Sequence, residues 1–150
     1  MSTLNWQRDD LECNGVRLHF ETAGAEHGEP ILLVMGLGCQ LIQWPEALCA
    51  DLVARGFRVI RFDNRDAGLS GESNRGVRFN LRGDFLRSRI GLGPGPSNYL
   101  LHDMAQDCVA LMDSLGVRRA HIAGVSMGGM ISQLVAARFP QRVASLTSIM

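Results

Sequence analysis

The sequence predicts an α/β fold whose sheet is mainly parallel, carries helices on both faces and begins with an antiparallel hairpin. Continuous apolar runs, typical of strands buried on both faces, alternate along the chain with segments of helical spacing. The order strand, helix, strand is that of a crossover connection between parallel strands. Ligands bind such sheets beyond the carboxyl ends of the strands, so we expect the functional residues there.

The N-terminal half supplies a hairpin, two apolar strands and a helix. An Asn-Gly turn between near-alternating apolar residues predicts the hairpin over Asp10–Ala23. The continuous apolar run Ile31–Met35 predicts a strand, and a further strand is predicted over Phe57–Phe62. Between them, Leu41–Arg55 has apolar residues at helical spacing, and Pro45 is tolerable in the first turn of that helix.

The C-terminal half repeats the alternation after an irregular stretch. Glycines and arginines without a sustained period predict a long mobile loop over Gly71–Asn98. An apolar stripe at helical spacing then predicts a helix over Leu100–Leu115. The remaining elements are predicted as a strand over His121–Val125, a helix over Met127–Phe139 and a strand over Val143–Met150.

Composition excludes several classes of protein. Among the 150 residues, Lys+Arg and Asp+Glu number 15 each, so no electrostatic footprint for nucleic acid or an anionic membrane is present. No apolar run approaches the roughly 20 residues of a membrane span, and the first ten residues are too polar for a secretion signal. We therefore expect a cytoplasmic protein that binds neither nucleic acid nor membrane.

The cysteines and histidines do not predict a metal centre. The four cysteines lie far apart, without the paired spacing of a zinc site or a redox motif, so reduced thiols are expected. None of the four histidines stands in a ligand pattern with another histidine, a cysteine or a carboxylate. The sequence therefore predicts no metal and no cofactor.

The run Gly124-Val125-Ser126-Met127-Gly128 joins a predicted strand to a predicted helix. A serine at such a sharp turn sits in a strained backbone conformation, for which the flanking glycines leave room. Its hydroxyl would project above the end of the strand, where the amide of Met127 could bind an oxyanion. On the turn alone, a serine that only caps the helix is an equally good interpretation.

Three loops meet at the predicted site edge, namely Gly36–Cys39, Asp63–Ser70 and Gly124–Gly129. Ser126 is the candidate nucleophile among them. Residues of these loops and their neighbours are candidates for an apolar acyl pocket, although core packing explains most of the apolar side chains equally well. The pocket candidates are Gly36, Leu37, Gly38, Leu41, Trp44, Met127 and Met130.

The chain resembles the α/β-hydrolase family in several motifs that stand in the family's order. Residues 124–129 resemble its nucleophile elbow, and residues 35–38 are similar to its oxyanion loop with Met35 in place of the histidine. Residues 62–70 resemble the Asp-x-Arg-Gly-x-Gly-x-Ser turn after the fourth strand, with Asp66 where glycine is usual. Tyr99–Asp107 resembles the helix before the elbow strand. Within the family, these residues look most like the aclacinomycin methylesterase type of carboxylic-ester hydrolase.

The resemblance implies acyl transfer on a small-molecule ester or similar acyl substrate. Ser126 would attack a carbonyl, a histidine would take its proton, an acid would orient that histidine, and the amides of Leu37 and Met127 would bind the oxyanion. The family places its acid and histidine after later strands. Residues 1–150 would then be the N-terminal portion of one incomplete core domain, lacking the C-terminal strands, the cap and both triad partners, and would be inactive or very weak alone.

Two other functions stay open at this point. One is a catalytically silent binding or assembly module, and the other is a cofactor-free perhydrolase or lactonase of the same fold. A serine instead of an aspartate at the elbow argues against dehalogenase and epoxide hydrolase chemistry. The segment Val143–Met150 would form an exposed apolar edge strand, for which we expect pairing with a second copy or with a C-terminal half.

Overall fold

A single six-stranded sheet organises the computed structural model, which describes residues 4–71, 89–91 and 97–149. The strands are β1 (Gln7–Cys13), β2 (Val16–Ala23), β3 (Glu29–Val34), β4 (Phe57–Phe62), β5 (Ala120–Val125) and β6 (Val143–Ile149). They lie in the order β1, β2, β4, β3, β5, β6. Strands β1 and β2 form the antiparallel hairpin, β2 pairs antiparallel with β4, and the other neighbours are parallel. The α/β fold predicted from the sequence is confirmed.

Helices cover both faces of this sheet because successive strand residues point to opposite sides. One face packs against helices α2 (Leu101–Ser114) and α3 (Met127–Arg138), and the other packs against α1 (Glu46–Ala54). In β3, for example, Leu32 lies in the core on the first face and Leu33 lies in the core on the second. This alternation explains why residues 31–34 of β3 are apolar at every position.

The hairpin turns at the predicted Asn-Gly pair. Asn14 and Gly15 have φ of 50° and 74°, and their flanking residues Cys13 and Val16 are paired. Positive φ at both central residues matches the right-handed twist of the strands, which is why this dipeptide closes hairpins. The strands start three residues before the predicted Asp10–Ala23, because the ladder extends to Gln7.

The predicted helix over Leu41–Arg55 is wrong in its first turn. A short 3-10 helix covers Leu41–Gln43, and α1 begins only at Glu46 with Pro45 as its N-cap. Trp44 is extended, with ψ of 122°, because a following proline disfavours the helical conformation. Of the predicted mobile loop Gly71–Asn98, residues 72–88 and 92–96 lie outside the described residues, as does Met150.

The two edges of the described sheet differ in character. The outer strand β1 is charged and mostly exposed, whereas β6 at the opposite edge is uncharged, parallel to β5 and exposed over its last five residues. The exposed parallel edge predicted for this strand is therefore present. None of the described helices has the length and apolar character needed to cross a bilayer.

Two buried ion pairs join distant segments beneath the surface. Glu21 on β2 lies opposite Arg61 on β4, and each of the two side chains is 4% exposed. Arg65, just after β4, pairs with Asp107 on α2 through bonds of 2.6 Å and 2.5 Å from Nε and Nη2. The second pair joins the turn after β4 to the middle of α2.

Candidate active site

The turn between β5 and α3 holds Ser126 in a strained conformation. Its φ of 54° and ψ of −122° lie in a region that costs a residue other than glycine about 1–3 kcal/mol. The Ser126 amide donates to the Ile149 carbonyl at 2.7 Å, and its carbonyl accepts from the Gly129 amide at 2.8 Å. These backbone bonds hold the residue in place from both sides.

The Ser126 side chain is exposed and makes no capping hydrogen bond to α3. Among the described residues its hydroxyl has no hydrogen-bond partner at all. Ser126 thus occupies the N-cap position of α3 without the side-chain hydrogen bond that a capping serine makes.

Gly124 and Gly128 are required by close approach of the backbone. A Cβ on Gly124 would overlap the carbonyl of Gly128. A Cβ on Gly128 would overlap the Val34 carbonyl and would stand 2.6 Å from the Met35 oxygen. The first turn of α3 thus packs directly on the ends of β3 and β5, which places Ser126 above the edge of the sheet.

The predicted oxyanion loop lies against this turn. A Cβ built on Gly36 would be 3.3 Å from the Ser126 Cβ and 3.7 Å from its Oγ. The Cys39 amide donates to the Gly36 carbonyl at 3.2 Å, which closes a turn around Leu37. Met127 is the first residue of α3, so its amide has no acceptor within the helix. The structure thus brings Leu37, Ser126 and Met127 to one place.

A cavity of about 360 Å³ opens beside Leu37 and Met127. Its walls come from the oxyanion loop, from the turn after β4 and from the start of α2. The apolar part consists of Leu37, Leu100, Leu101, Met104 and Met127, and Tyr99 adds an aromatic ring. The polar part consists of Asn64, Arg65 and Asp66. All three loops predicted to form the site contribute to it.

The polar wall is held by buried charges. Burial acts to lower the pKa of the Arg65 guanidinium, but the hydrogen bond and charge of Asp107 raise that pKa above its ordinary value, so the cation persists. The guanidinium lies 5.1 Å from the centre of the Tyr99 ring. Burial, aided by a hydrogen bond to Asp66, raises the pKa of Tyr99 to about 12. Tyr99 is therefore a neutral phenol at physiological pH.

A sequence model described as the alpha/beta hydrolase fold matches residues 29–150. The chain belongs to the α/β-hydrolase fold family. It is 35% identical to rhodomycin D methylesterase of Streptomyces peucetius over 132 residues, which cover 88% of this chain and 38% of that protein. The chain thus spans less than half the length of this hydrolase-family relative.

Solved structures share the same architecture. The enol-lactonase from Burkholderia xenovorans is 28% identical with a TM-score of 0.71, over 92% of this chain and 45% of the lactonase. Epoxide hydrolase A from Mycobacterium thermoresistibile superimposes with a TM-score of 0.75, over 96% of this chain and 39% of that chain. At 22% identity, this second likeness shows the fold alone.

The positive φ of Asp66 explains one departure from the family's turn sequence. Its φ of 61° lies in the left-handed region that favours glycine, the residue usual at this position in the family. Asp66 tolerates the conformation because short polar side chains are the common exceptions to the rule. The family turn is therefore preserved with a carboxylate added beside the cavity.

The predicted pocket residues do not all reach the cavity of this α/β hydrolase. Gly38 lines it, and Gly36 lies beside Ser126. Leu41 and Trp44 are buried at 2% and 4% exposure, and Trp44 packs in the core beneath α1. For these two side chains the structure shows core packing, the alternative that the sequence left open. Met130 is half exposed on α3, outside the cavity lining.

Sequence reasoning missed the wall opposite the oxyanion loop. Arg65, Asp66 and Tyr99 were part of recognised motifs, but nothing local showed that they face one cavity. The signal that could have found them is the Asp-x-Arg turn itself, since it follows a strand that ends at the site edge.

Three of the four histidines are hydrogen-bonded to residues other than Ser126. His19 lies 2.7 Å from an Asp10 oxygen in the hairpin, and His102 accepts from Arg138 at 2.9 Å. His121 is bonded to Ser145 at 2.7 Å, and His27 is exposed in the loop after β2. Within the described part of the chain, no imidazole is hydrogen-bonded to Ser126.

Proposed function

We propose that the protein is a serine hydrolase that cleaves carboxylic esters or similar acyl compounds through an acyl-enzyme. The observation that carries this proposal is the exposed, uncapped hydroxyl of Ser126 at the N-terminus of α3. A residue whose backbone is held at a cost of about 1–3 kcal/mol, while its side chain makes no hydrogen bond within the described chain, is typical of a reactive position. Membership of the α/β-hydrolase family supports the same conclusion.

In the proposed reaction, Ser126 Oγ attacks the substrate carbonyl carbon while its proton passes to a base. The carbonyl oxygen becomes an oxyanion, which the amides of Leu37 and Met127 would bind at the positive end of α3. Collapse of the tetrahedral species expels the alcohol, which takes up the proton, and leaves the acyl group on Ser126. Water then attacks the acyl-enzyme and releases the acid.

The base and the acid that orients it are assigned to polypeptide outside residues 1–150. Ser126 needs a base because its hydroxyl is a weak nucleophile while protonated. Three of the described histidines are bonded to other partners, His27 is exposed in the loop after β2, and the chain spans 38% of its methylesterase relative. A longer protein would therefore supply the complete triad.

The cavity suggests the substrate class. Its wall is mainly apolar and aromatic, so it suits an ester with an apolar acyl or alcohol group rather than a sugar or a nucleotide. Relatives named for a methyl ester and for an enol-lactone support cleavage of ester and lactone bonds. We propose a neutral, largely apolar carboxylic ester as the substrate.

A fluorophosphonate probe tests the nucleophile in the protein expressed from its complete reading frame. We expect covalent labelling at Ser126 and none in Ser126→Ala. Ser114→Ala is the matched control, because Ser114 is an exposed serine on α2 that bonds only the Ala110 carbonyl and Cys13. Equal labelling of wild type and Ser126→Ala would refute the proposal, as would loss of labelling in the control.

We also propose that β6 pairs with another strand, either in a C-terminal half or in a second copy. Its uncharged, exposed edge supports pairing, because unpaired backbone groups there are a template for an added strand. Sedimentation of residues 1–150 and of the complete protein distinguishes the partners. Dimers of the short chain alone favour a second copy, whereas a monomeric complete protein favours its own C-terminal half. The proposed pairing is refuted if residues 1–150 are monomeric and the backbone amides of β6 exchange freely with solvent both in residues 1–150 and in the complete protein.

A further inference from the structure

We propose that Asp63 and Asn64 are positioning residues that hold the loop of residues 36–40, which contains the proposed oxyanion donor Leu37, in place beside Ser126. This inference rests on the proposed function, because it assigns the loop a part in catalysis. The two residues follow β4 directly and are 2% and 3% exposed. Each side chain is hydrogen-bonded to a residue that flanks the loop, Met35 or Leu41, and neither is hydrogen-bonded to Ser126.

Asn64 holds the entry to the loop. Its side-chain Nδ2 donates to the Met35 carbonyl at 2.9 Å in a buried environment. Met35 directly precedes Gly36, the residue that lies against the Ser126 side chain. The bond therefore fixes the orientation of the peptide from which the Gly36–Leu37 segment departs.

Asp63 holds the exit from the loop. Its Oδ1 accepts from the Leu41 amide at 2.7 Å, at the first residue of the 3-10 helix that follows the loop. Its Oδ2 accepts from the Leu69 amide at 2.8 Å, so one carboxylate joins the loop to the turn after β4. Gly68 makes this possible, because a Cβ there would overlap the carboxylate.

The backbone of Asp63 is itself anchored to the sheet and to its own turn. Its amide donates to the His19 carbonyl on β2 at 2.9 Å, and its carbonyl accepts from Ser70 Oγ at 2.6 Å. The loop is thus clamped at both ends to a rigid support, while Leu37 between them is 75% exposed. An exposed segment that must present an amide to an oxyanion needs such support, because catalysis by hydrogen-bond donors depends on their being placed in advance.

Near-isosteric substitutions remove these bonds with little change in volume. In Asn64→Asp an oxygen replaces the donor and faces the Met35 carbonyl. In Asp63→Asn only one oxygen remains for two amides, so an NH₂ group faces either Leu41 or Leu69 whichever way it turns. Glu21→Gln is the matched control, since it converts a buried carboxylate to an amide on β2 whose hydrogen bonds go to Arg8 and Arg61 and not to residues 35–41.

The experiment measures hydrolysis of para-nitrophenyl acetate by the complete protein, together with hydrogen exchange of peptides that cover residues 36–41. We expect kcat to fall about 10- to 100-fold in Asn64→Asp and Asp63→Asn, the range seen for groups that support a reactive centre. KM should stay within about twofold of wild type, because the loop donors act mainly in the transition state. Exchange of the loop should accelerate in both variants and remain unchanged in Glu21→Gln, which should also keep wild-type kcat.

Every other result overturns the positioning role. Unchanged exchange of residues 36–41 would show that the two side chains do not hold the loop, and faster exchange with unchanged kcat would show that holding it is irrelevant to catalysis. An equal kcat loss in Glu21→Gln would reveal a general effect on stability. If Asn64→Asp does not fold by circular dichroism, Asn64→Ala, which removes the donor without adding an acceptor, takes its place. Ser126→Ala separates the two proposals, since full activity there refutes the proposed function itself.

Discussion

Replacing Asp107 with asparagine tests how strongly the buried ion pair supports the cavity wall. The Arg65 and Asp107 side chains are 3% and 2% exposed and joined by two charge-assisted hydrogen bonds. An asparagine accepts only one of these bonds and leaves the guanidinium uncompensated. Removing one partner of a buried pair costs about 3–5 kcal/mol. Because a domain of this size is stable by about 5–15 kcal/mol, Asp107→Asn should lose a large share of its free energy of unfolding.

Urea unfolding followed by tryptophan fluorescence measures this loss. Taking about 4 kcal/mol and a slope of about 2 kcal/mol per molar urea, the midpoint should fall by about 2 M. Asp113→Asn is the matched control, because Asp113 also lies on α2 and pairs with Arg142 but is 62% exposed. An exposed pair contributes about 0–1 kcal/mol, so its midpoint should move by less than about 0.5 M. Equal shifts in the two variants would refute the argument that burial decides the strength of the pair.

Three further results follow from groups near the site. Tyr99 is the chain's single tyrosine, so tyrosinate absorbance should titrate with a pKa of about 12 in the native protein, against about 10 in urea. Because the folded pKa is raised, the neutral phenol of Tyr99 contributes to the stability of the folded state below about pH 10, and this contribution is lost as the pH rises towards 12. A midpoint near 10 for the native protein would contradict this prediction. A thiol reagent should modify only the partly exposed Cys39 before unfolding, since the other three cysteines are buried, and Cys39→Ser should abolish the fast reaction. Gly128→Ala should destabilise the fold by at least about 1–3 kcal/mol in urea unfolding, because its Cβ would overlap the Val34 carbonyl; an unchanged midpoint would show that α3 can move away.

Local patterns were sufficient to predict the elements of the fold. An Asn-Gly pair sets its own turn and a wholly apolar run sets a central strand, so the hairpin and the parallel strands were predicted correctly. The helix predicted over Leu41–Arg55 failed before Glu46, because the conformational effect of Pro45 on Trp44 outweighed continuous helical spacing. Segment type follows from nearby residues, but a single proline decides where a helix begins.

The candidate site was predicted as a place more accurately than as a set of side chains. The Gly-x-Ser-x-Gly turn spans five successive residues, so the sequence alone was enough to single out Ser126 as the candidate nucleophile. The wall of the neighbouring cavity depends on contacts between distant residues, such as the pair of Arg65 with Asp107, 42 positions apart. No local pattern reports such a contact. For the same reason, apolar character alone could not tell that Trp44 belongs to the core.

The hydrogen bond from the Ser126 amide to the Ile149 carbonyl makes the backbone geometry of Ser126 depend on β6, the strand at the edge of the described sheet. Ile149 ends the outermost strand on that side of the described chain, and the backbone of Ser126 keeps its unfavourable angles while that strand stays in register. For the nucleophile proposed above, a strand added beside β6 would therefore hold the hydroxyl of Ser126 more firmly, and fraying of β6 would loosen it. Under the proposed function, strand pairing at β6 and the reactivity of Ser126 would be coupled through one hydrogen bond.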